Sequence, residues 1–465
     1  MDYVSTRGSA PVLDFEGATL AGLANDGGLY LPREWPRLSA SNIAAMRGLP
    51  YAELAARVMA PFVGESITPE RLQALCEQAY GQFAHDAVTP LVQLDARHWL
   101  LELFHGPTLA FKDVALQLLG LLFEEFLGRS GESLTIIGAT SGDTGSAAID
   151  AVAGREGVEI FMLHPAGLVS DVQRRQMTTV LAPNVHNIAI GGDFDQAQAM
   201  VKRMFGDPAL GALRLSAVNS INWARLMAQV VYYFAAALQL GAPERRVAFS
   251  VPTGNFGDVF AGYVATRMGL PIERLIVATN VNDILHRALS AGDYSAGEVR
   301  PTAAPSMDIQ VSSNFERLLF DLGGRDGAAL AEQMGEFERL RAMRLTNAQQ
   351  KGAAALFASV RAEADEMNEA MRWACEHAGE IVDPHTAIGL HAARAADIDP
   401  AIPIVTLATA HPAKFPEAVE RATGHRPHLP SRVGDLFVRE ERFAELPGDY
   451  DAVRDWIAEH ATPRA

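Results

Sequence analysis

The sequence contains only two cysteines, Cys76 and Cys375, and they lie far apart in the chain. Two cysteines at this distance exclude a disulfide framework and the closely spaced ligand pairs of a zinc site. A reducing compartment is therefore expected.

Long apolar segments are also missing. The first residues contain no basic stretch followed by an apolar one, so no signal peptide is predicted. The longest apolar stretch, 114–127, is interrupted by Glu124 and Glu125 and is too short to cross a bilayer. We expect a cytoplasmic protein without a membrane partner.

Basic side chains are fewer than acidic ones. The 39 Lys and Arg side chains are outnumbered by 56 Asp and Glu side chains, which gives a net charge of −17. This balance argues against the basic groove of a nucleic-acid-binding protein. It does not exclude a small anion, because backbone amides bind phosphate at short range inside an acidic protein.

The chain does have enough length and apolar content for two or three packed units, with 465 residues of which 49% are hydrophobic. From about residue 93, short apolar runs are each followed by a longer segment of helical periodicity. This alternation predicts an α/β fold whose parallel strands are covered on both faces. The predicted strands are 99–104, 134–138, 158–163, 185–190, 247–251, 275–279 and 404–407.

Three parts of the chain depart from this rhythm. Residues 1–92 predict a helical amino-terminal unit, because several short helical patterns are separated by Gly and Pro turns. The segment from about 300 to 380 predicts a helical insertion within the α/β core of 93–435. Residues 436–465 are interpreted as a carboxy-terminal tail with a short helix.

Ligands of open parallel sheets bind beyond the carboxyl ends of the strands, so the strand-to-helix turns are the candidate sites. The first turn, 104–113, places Lys112 at a predicted helix start, where the helix dipole disfavours a cation. An amine desolvated there beside Phe111 has a lowered pKa and is a candidate nucleophile for imine formation. The alternative is an ordinary lysine that extends into solvent.

Two further turns, 138–146 and 250–258, are rich in glycine and hydroxyl residues. Each lies between a predicted strand and a predicted helix, and such turns present backbone amides to a carboxylate or phosphate. The turn 138–146 lacks the Gly-Lys-Ser/Thr ending of a nucleotide-binding loop. We call the turn 138–146 the first cradle and the turn 250–258 the second cradle. Two cradles suggest two bound anions, unless the glycines serve only chain reversal and helix capping.

A fourth turn, 408–416, follows the last predicted strand and places Thr409 at the strand end. His411 and Lys414 follow close behind and are candidates for the same pocket. Taken singly, the histidine is better explained as a structural hydrogen-bonding residue and the lysine as a solvated charge.

Together, in this order, these turns resemble those of the threonine synthases, in the longer-chain branch of that family. The family belongs to the tryptophan-synthase-β-like fold group, fold type II, of pyridoxal phosphate enzymes. The resemblance covers nearly the whole chain through segments 3–8, 26–30, 105–113, 141–145, 219–225, 253–258 and 409–415.

The resemblance implies a core of two interleaved parallel-sheet α/β domains, each of three layers, beside the helical amino-terminal domain. The smaller spans about 115–220, and the larger combines 93–114 with 221–435. It further implies an enzyme that converts O-phospho-L-homoserine and water to L-threonine and phosphate by β,γ-elimination and replacement. Pyridoxal 5'-phosphate would be the cofactor and no metal would be needed. Fold relatives are often dimers, and the sequence leaves monomer and homodimer open.

The same resemblance implies roles for individual residues. Lys112 would bind the cofactor aldehyde and later act as the base, with Phe111 beside it, and Thr409 would contact the pyridine nitrogen. The cofactor phosphate would be held by Thr253, Gly254, Asn255, Phe256 and Gly257.

Substrate groups would bind to two other sets of residues. The α-carboxylate would bind to Thr140, Ser141, Gly142, Asp143 and Thr144. Asp143 stands where the wider fold group often carries Asn, so its role is left open. The substrate phosphate needs cationic and amide donors, and the candidates are Asn222, Arg225 and Lys414.

Two rival interpretations remain. A hydroxyamino-acid dehydratase or phospho-lyase on the same fold would also need Lys112 and both cradles, but it would release a keto acid and ammonia. A binding protein for phosphorylated metabolites would need no desolvated amine at a helix start.

Overall fold

The computed structural model describes residues 1–217 and 220–462 of the chain. Its amino-terminal part is mostly helical, as predicted, and also contains a short antiparallel strand pair. Asn219, the first residue of the 219–225 segment, lies outside the described residues, as do residues 463–465. The first elements are β1 (Tyr3–Ser5), α1 (Phe15–Ala21), β2 (Tyr30–Pro32), α2 (Ala40–Ala44), α3 (Tyr51–Val63) and α4 (Pro69–Tyr80).

The next part of the chain alternates strands and helices, as its apolar runs predict. Its elements are β3 (Leu91–Gln93), β4 (His98–Glu102), α5 (Lys112–Ser130), β5 (Leu134–Ala139), α6 (Asp143–Val152), β6 (Val158–Pro165), α7 (Asp171–Thr178), β7 (Val185–Ile190), α8 (Phe194–Met204), β8 (Leu215–Ser216) and α9 (Trp223–Gln239).

The remaining elements run to residue 460. They are β9 (Val247–Pro252), α10 (Gly257–Arg267), β10 (Ile272–Thr279), α11 (Ile284–Ala291), β11 (Asp293–Ser295), α12 (Phe315–Leu322), α13 (Gly327–Leu340), β12 (Ala342–Arg344), α14 (Asn347–Ala354), β13 (Phe357–Arg361), α15 (Ala364–Trp373), α16 (Pro384–Ala395), β14 (Ile404–Ala408), α17 (Pro416–Thr423), β15 (Ala444–Leu446) and α18 (Tyr450–His460).

The strands form two main sheets. The larger has the order β13-β10-β9-β14-β4-β3, in which β3 alone pairs antiparallel. The smaller has the order β15-β7-β6-β5-β8 and is entirely parallel. Every residue of β9 is buried, which fits a central strand covered by helices on both faces. The predicted α/β class with two parallel sheets is confirmed.

Two segments take part in the sheets more than the sequence predicted. The expected helical insertion, about 300–380, contains β13, which pairs in parallel with β10 at the edge of the larger sheet. The expected tail contains β15, which pairs in parallel with β7, and its helix α18 packs Val453 and Ile457 into the small-sheet core. Neither segment is therefore an appendage. Both strands are very short or half-exposed, so their sequences carry little strand signal.

The amino-terminal unit packs against α9 through aromatic rings. The Trp223 ring lies 6.0 Å from that of Tyr3 and 5.7 Å from that of Phe62, measured between centroids. The start of α9 is thereby fixed against this unit. No helix among residues 1–217 and 220–462 is long and apolar enough to cross a membrane.

Candidate active site

Lys112 is the first residue of α5, and only 7% of its surface is exposed. The turn before it is tied to the last strand of the larger sheet, because Phe111 N donates to Thr409 O at 2.8 Å. The Lys112 ammonium nitrogen lies 4.9 Å from the Phe111 ring centroid. The amine is therefore inside the protein, at the carboxyl edge of the sheet, and not in solvent.

Three charged side chains surround this amine. Asp143 Oδ2 lies 3.5 Å from Lys112 Nζ, and Asp143 Oδ1 lies 2.7 Å from Lys414 Nζ. Burial lowers the pKa of Lys112, and the nearby cations Lys414 and Arg225 lower it further, whereas Asp143 opposes the shift. Burial therefore shifts Lys112 towards the neutral amine, which is the form that acts as nucleophile and base.

Asp143 forms ion pairs with both Lys112 and Lys414. It also accepts hydrogen bonds from Gln173 Nε2 at 2.8 Å and from Ser306 Oγ at 3.4 Å. Burial alone would raise its pKa, but the Lys414 and Lys112 ammonium groups hold the pKa well below its ordinary value. The carboxylate is therefore ionised and its charge is compensated within the protein.

The Gly-rich turn before α6 is shaped by one hydroxyl. Thr140 Oγ1 accepts from Gly142 N at 3.0 Å and from Gly145 N at 2.9 Å. Gly142 has a φ of 140°, and a Cβ there would lie 2.5 Å from Gln173 Cδ. Within the described part of the chain, the amides of Ser141, Asp143 and Thr144 have no assigned acceptor, so they are free for an anion.

The turn before α10 forms the second cradle. Thr253 Oγ1 donates to the buried Asp258 and accepts from Phe256 N at 3.2 Å. Phe256 has a φ of 64°, a left-handed conformation that turns the chain into the helix. Among the described residues, no acceptor is assigned to the amides of Gly254, Asn255 and Gly257 at this helix start. This turn also presents free donors to an anion.

The second cradle requires glycine at position 254, because a Cβ there would lie 2.6 Å from Ser306 O. We predict that Gly254→Ala lowers the affinity for an anion at this turn at least about tenfold and costs about 1–3 kcal/mol of stability through overpacking. A titration with pyridoxal 5'-phosphate, the cofactor that the resemblance implies, measures the affinity by absorbance. Thermal unfolding of the same variant measures the stability.

Gly335→Ala is the matched control, since a Cβ at this position in α13 meets no atom within 4 Å. That change should leave the affinity unaltered and raise helix stability slightly. Equal affinities in the two variants would contradict the assignment of the cradle.

Arg225 contributes an unusual unpaired charge. It is 3% exposed, and its Nη1 atom has no hydrogen-bond partner among the described residues. Burial lowers its pKa to about 10, and Asp258 partly opposes the shift. A buried guanidinium nitrogen without a partner is costly, so this geometry indicates an anionic ligand.

Asn222 is already occupied. Its Oδ1 accepts from Ala224 N at 3.0 Å, which caps α9, and its Nδ2 donates to Thr19 O at 2.9 Å. The structure gives this side chain a structural role, and the sequence prediction that it binds the substrate phosphate gains no support.

Thr409 follows β14 and is 5% exposed. Its backbone N donates to Thr386 Oγ1 at 3.2 Å, and Asp383 accepts from that same Thr386 hydroxyl. Asp383 Oδ1 also lies 2.7 Å from His385 Nδ1, and His385 Nε2 accepts from Ser306 N at 3.3 Å. One buried carboxylate therefore positions both the Thr409 strand end and the Ser306 loop.

Sequence analysis missed these supporting residues. Ser306 lies inside the segment expected to be a helical insertion, and Gln173 lies on a helix that carries no motif. Asp383 was recognisable, since Asp-Pro-His-Thr before an apolar run is a helix-start signature with a capping Asp and Pro at the first helical position.

His411 caps the short turn before Lys414, because its Nδ1 accepts from Ala413 N at 3.1 Å. Burial lowers the pKa of His411 from 6.5 to about 4, and His105 and Arg432 add to the shift. As the pH falls from 6.5 towards 4, the His411 ring becomes protonated in the unfolded chain but stays neutral in the folded chain. Stability contributed by neutral His411 is therefore present above pH 6.5 and is lost as the pH falls.

We predict that the unfolding free energy falls by about 3 kcal/mol more in the unsubstituted chain than in His411→Asn between pH 7 and pH 4. Asparagine keeps a capping oxygen but has no titratable group. Denaturant unfolding at a series of pH values checks this. Parallel stability curves for the two chains would show that His411 does not titrate in this way.

The fold and site, a buried amine flanked by two anion cradles at the edge of parallel sheets, agree with comparisons to known proteins. The family model for pyridoxal-phosphate dependent enzymes matches residues 83–359. The chain is a pyridoxal-phosphate-dependent enzyme of fold type II, and the predicted cofactor is confirmed.

The particular family follows from more specific matches. Models for the threonine synthase amino terminus and carboxy-terminal region match residues 2–80 and 386–457. A threonine synthase of Pseudomonas aeruginosa is 56% identical over 462 residues, covering 99% of this chain and 98% of that protein. The chain belongs to the threonine synthase family.

Solved structures agree with this assignment. The pyridoxal-phosphate-bound threonine synthase of Brucella melitensis has a TM-score of 0.96 at 53% identity, with 99% of each chain covered. The yeast threonine synthase has a TM-score of 0.94 at 40% identity, covering 99% of this chain and 98% of that chain. The resemblance predicted from the turns is confirmed.

The residues present fit the cofactor. Pyridoxal phosphate brings an aldehyde and a phosphate, and the chain offers a desolvated amine and a turn with free amides at a helix start. The unpaired Nη1 of Arg225 is available for a further anionic group.

Proposed function

We propose that this chain converts O-phospho-L-homoserine and water to L-threonine and inorganic phosphate. The observation that supports this most is the buried Lys112 amine, held between Asp143 and the Phe111 ring at the carboxyl edge of the larger sheet. The proposal also includes a cytoplasmic location and either a monomeric or a homodimeric enzyme.

Lys112 is proposed to carry the cofactor and then to move protons. When bound, pyridoxal phosphate supplies the electron sink that stabilises negative charge at the substrate α and β carbons. The neutral Lys112 amine removes the proton from the α carbon, and the same group is placed to exchange protons at the β carbon. Its burial keeps bulk water away from these atoms.

The turn from Thr140 to Thr144 is proposed to bind the substrate α-carboxylate. The free amides of Ser141, Asp143 and Thr144 are donors, and the Asp143 charge does not repel the ligand strongly because Lys414 Nζ lies 2.7 Å from it and compensates it. Lys414 is therefore assigned to holding Asp143, with a further hydrogen bond of 2.8 Å to Thr108 O.

Arg225 is proposed to bind the departing phosphate. Its unpaired Nη1 atom and its buried position suit a dianion that is released when the bond to the substrate γ carbon breaks. The turn from Thr253 to Gly257 is proposed to hold the cofactor phosphate, and Thr409 is proposed to contact the pyridine nitrogen.

The test is to incubate the purified enzyme with O-phospho-L-homoserine and to measure phosphate, threonine and keto acid together. Equal amounts of phosphate and threonine are expected, because water adds at the β carbon after phosphate leaves. Phosphate with keto acid and ammonia in place of threonine would show a lyase, and no phosphate release would favour a binding protein.

A further inference from the structure

A cavity of about 390 Å³ lies away from Lys112, on the side of the larger domain formed by α15, α16 and α17. The loop from Arg300 to Ala303 forms another wall, and the ends of two strands add Asn280, Val281, Ala362 and Glu363. This volume is within the range of pockets that hold small metabolites. None of the residues assigned above to the cofactor or the substrate lines it.

The lining combines positive charge with an apolar floor. Arg300 and Arg421 contribute guanidinium groups, and neither is within 4.0 Å of a carboxylate in the part of the chain that the structure describes. Met367, Ile388 and Ala418 provide the apolar surface. The one acidic residue of the lining, Glu363, is already paired with Arg361.

The geometry points to a binding site for a small anionic metabolite with an apolar body, whose occupancy alters the cofactor site. Unpaired guanidinium groups beside apolar surface match a carboxylate or phosphate attached to a hydrocarbon portion.

The loop that carries Arg300 is held by hydrogen bonds to the side chains of Asn282 and Asp308. Arg300 N donates to Asn282 Oδ1 at 2.8 Å, and Asn282 Nδ2 donates back to Arg300 O at 2.9 Å. Asp308 accepts from Thr302 N at 2.7 Å, from Thr302 Oγ1 at 2.7 Å and from Asn280 Nδ2 at 2.6 Å. These hydrogen bonds link the cavity wall to the residues up to 308, so we expect the two to shift together.

Ser306 connects this unit to the active site. Its Oγ lies 3.4 Å from Asp143 Oδ2, and its N donates to His385 Nε2 at 3.3 Å. Its carbonyl oxygen lies so close to Gly254 that a Cβ there would be 2.6 Å away. A ligand that displaces Thr302 thus displaces Ser306 against the cofactor-phosphate turn and against Asp143, and this coupling acts equally in both directions.

The test uses the holoenzyme with 4-phenylbutyrate as the anionic probe and 4-phenylbutan-1-ol as its neutral counterpart. Calorimetry measures binding, and an absorbance titration measures the pyridoxal phosphate dissociation constant with and without the probe. We expect the carboxylate to bind at least about tenfold more tightly than the alcohol and to change the cofactor dissociation constant at least about threefold.

Arg421→Glu should weaken probe binding at least about tenfold. Arg372→Glu is the matched control, because Arg372 is exposed on α15 and is not part of the cavity lining. Met367→Trp fills the cavity and should also weaken probe binding. This variant tests the site independently if Arg421→Glu perturbs α17. Equal binding of probe and alcohol, or equal loss in Arg421→Glu and Arg372→Glu, would overturn the site. Binding that leaves the cofactor constant unchanged would overturn the coupling.

Discussion

Lys112→Ala is expected to lower kcat at least about 10³-fold, since the change removes both the amine proposed to hold the cofactor and the proposed base for the α-carbon proton. The Lys112→Ala protein should still bind pyridoxal phosphate weakly through the Thr253–Gly257 turn, which is proposed to hold the cofactor phosphate. Steady-state phosphate release from O-phospho-L-homoserine measures the loss, and an absorbance titration measures the cofactor that remains.

The control is Lys351→Ala. Lys351 is exposed on α14, so its replacement should leave kcat within about twofold of the unsubstituted enzyme. The variant Lys112→Ala would leave a buried Asp143 with Lys414 as its remaining close cation, so thermal unfolding has to accompany the kinetics. A folded Lys112→Ala enzyme with normal turnover would disprove the role of this residue.

Arg225→Ala is expected to lower kcat/KM for O-phospho-L-homoserine about 100-fold or more, which corresponds to about 3 kcal/mol of lost stabilisation. The reason is that the buried guanidinium, whose Nη1 lacks a partner among the described residues, is proposed to bind the substrate phosphate. Rates over a range of substrate concentrations separate the effect on KM from that on kcat.

Arg225→Lys refines this prediction. It retains the charge but loses the planar fork, so an intermediate loss is expected. Because Asp258 lies close to Arg225, the cofactor dissociation constant of both variants should be measured as well. A large loss of cofactor affinity with an unchanged KM would assign Arg225 to the cofactor instead, and no loss at all would refute an anion-binding role.

Much of the fold was predictable because parallel strands buried on both faces are continuous apolar runs. The run 247–251 corresponds to β9 at Val247–Pro252, and 185–190 coincides with β7 at Val185–Ile190. The edge strands β13 and β15 were not predictable, since their half-exposed residues show no such run. Their place in the sheets is set by tertiary pairing.

The site was predictable where chemistry and local structure coincide in one turn. Lys112 at a helix start and the Gly-rich turns are local patterns, and each lies at the carboxyl end of a strand. The contacts of Asp143 with Ser306 and Gln173 join distant parts of the chain, so no local pattern reveals them. The Asp143 charge, whose role the sequence left open, is paired with the buried Lys414 ammonium group at 2.7 Å.

The most direct test of the account is to reduce the holoenzyme with borohydride, which fixes the cofactor to the amine that holds it, and to map the labelled peptide. The sequence has four lysines, at positions 112, 202, 351 and 414, so the result is unambiguous. The account predicts one label per chain, on the peptide that contains Lys112. A label on the peptide of Lys414, Lys202 or Lys351, with Lys112 unmodified, would contradict it.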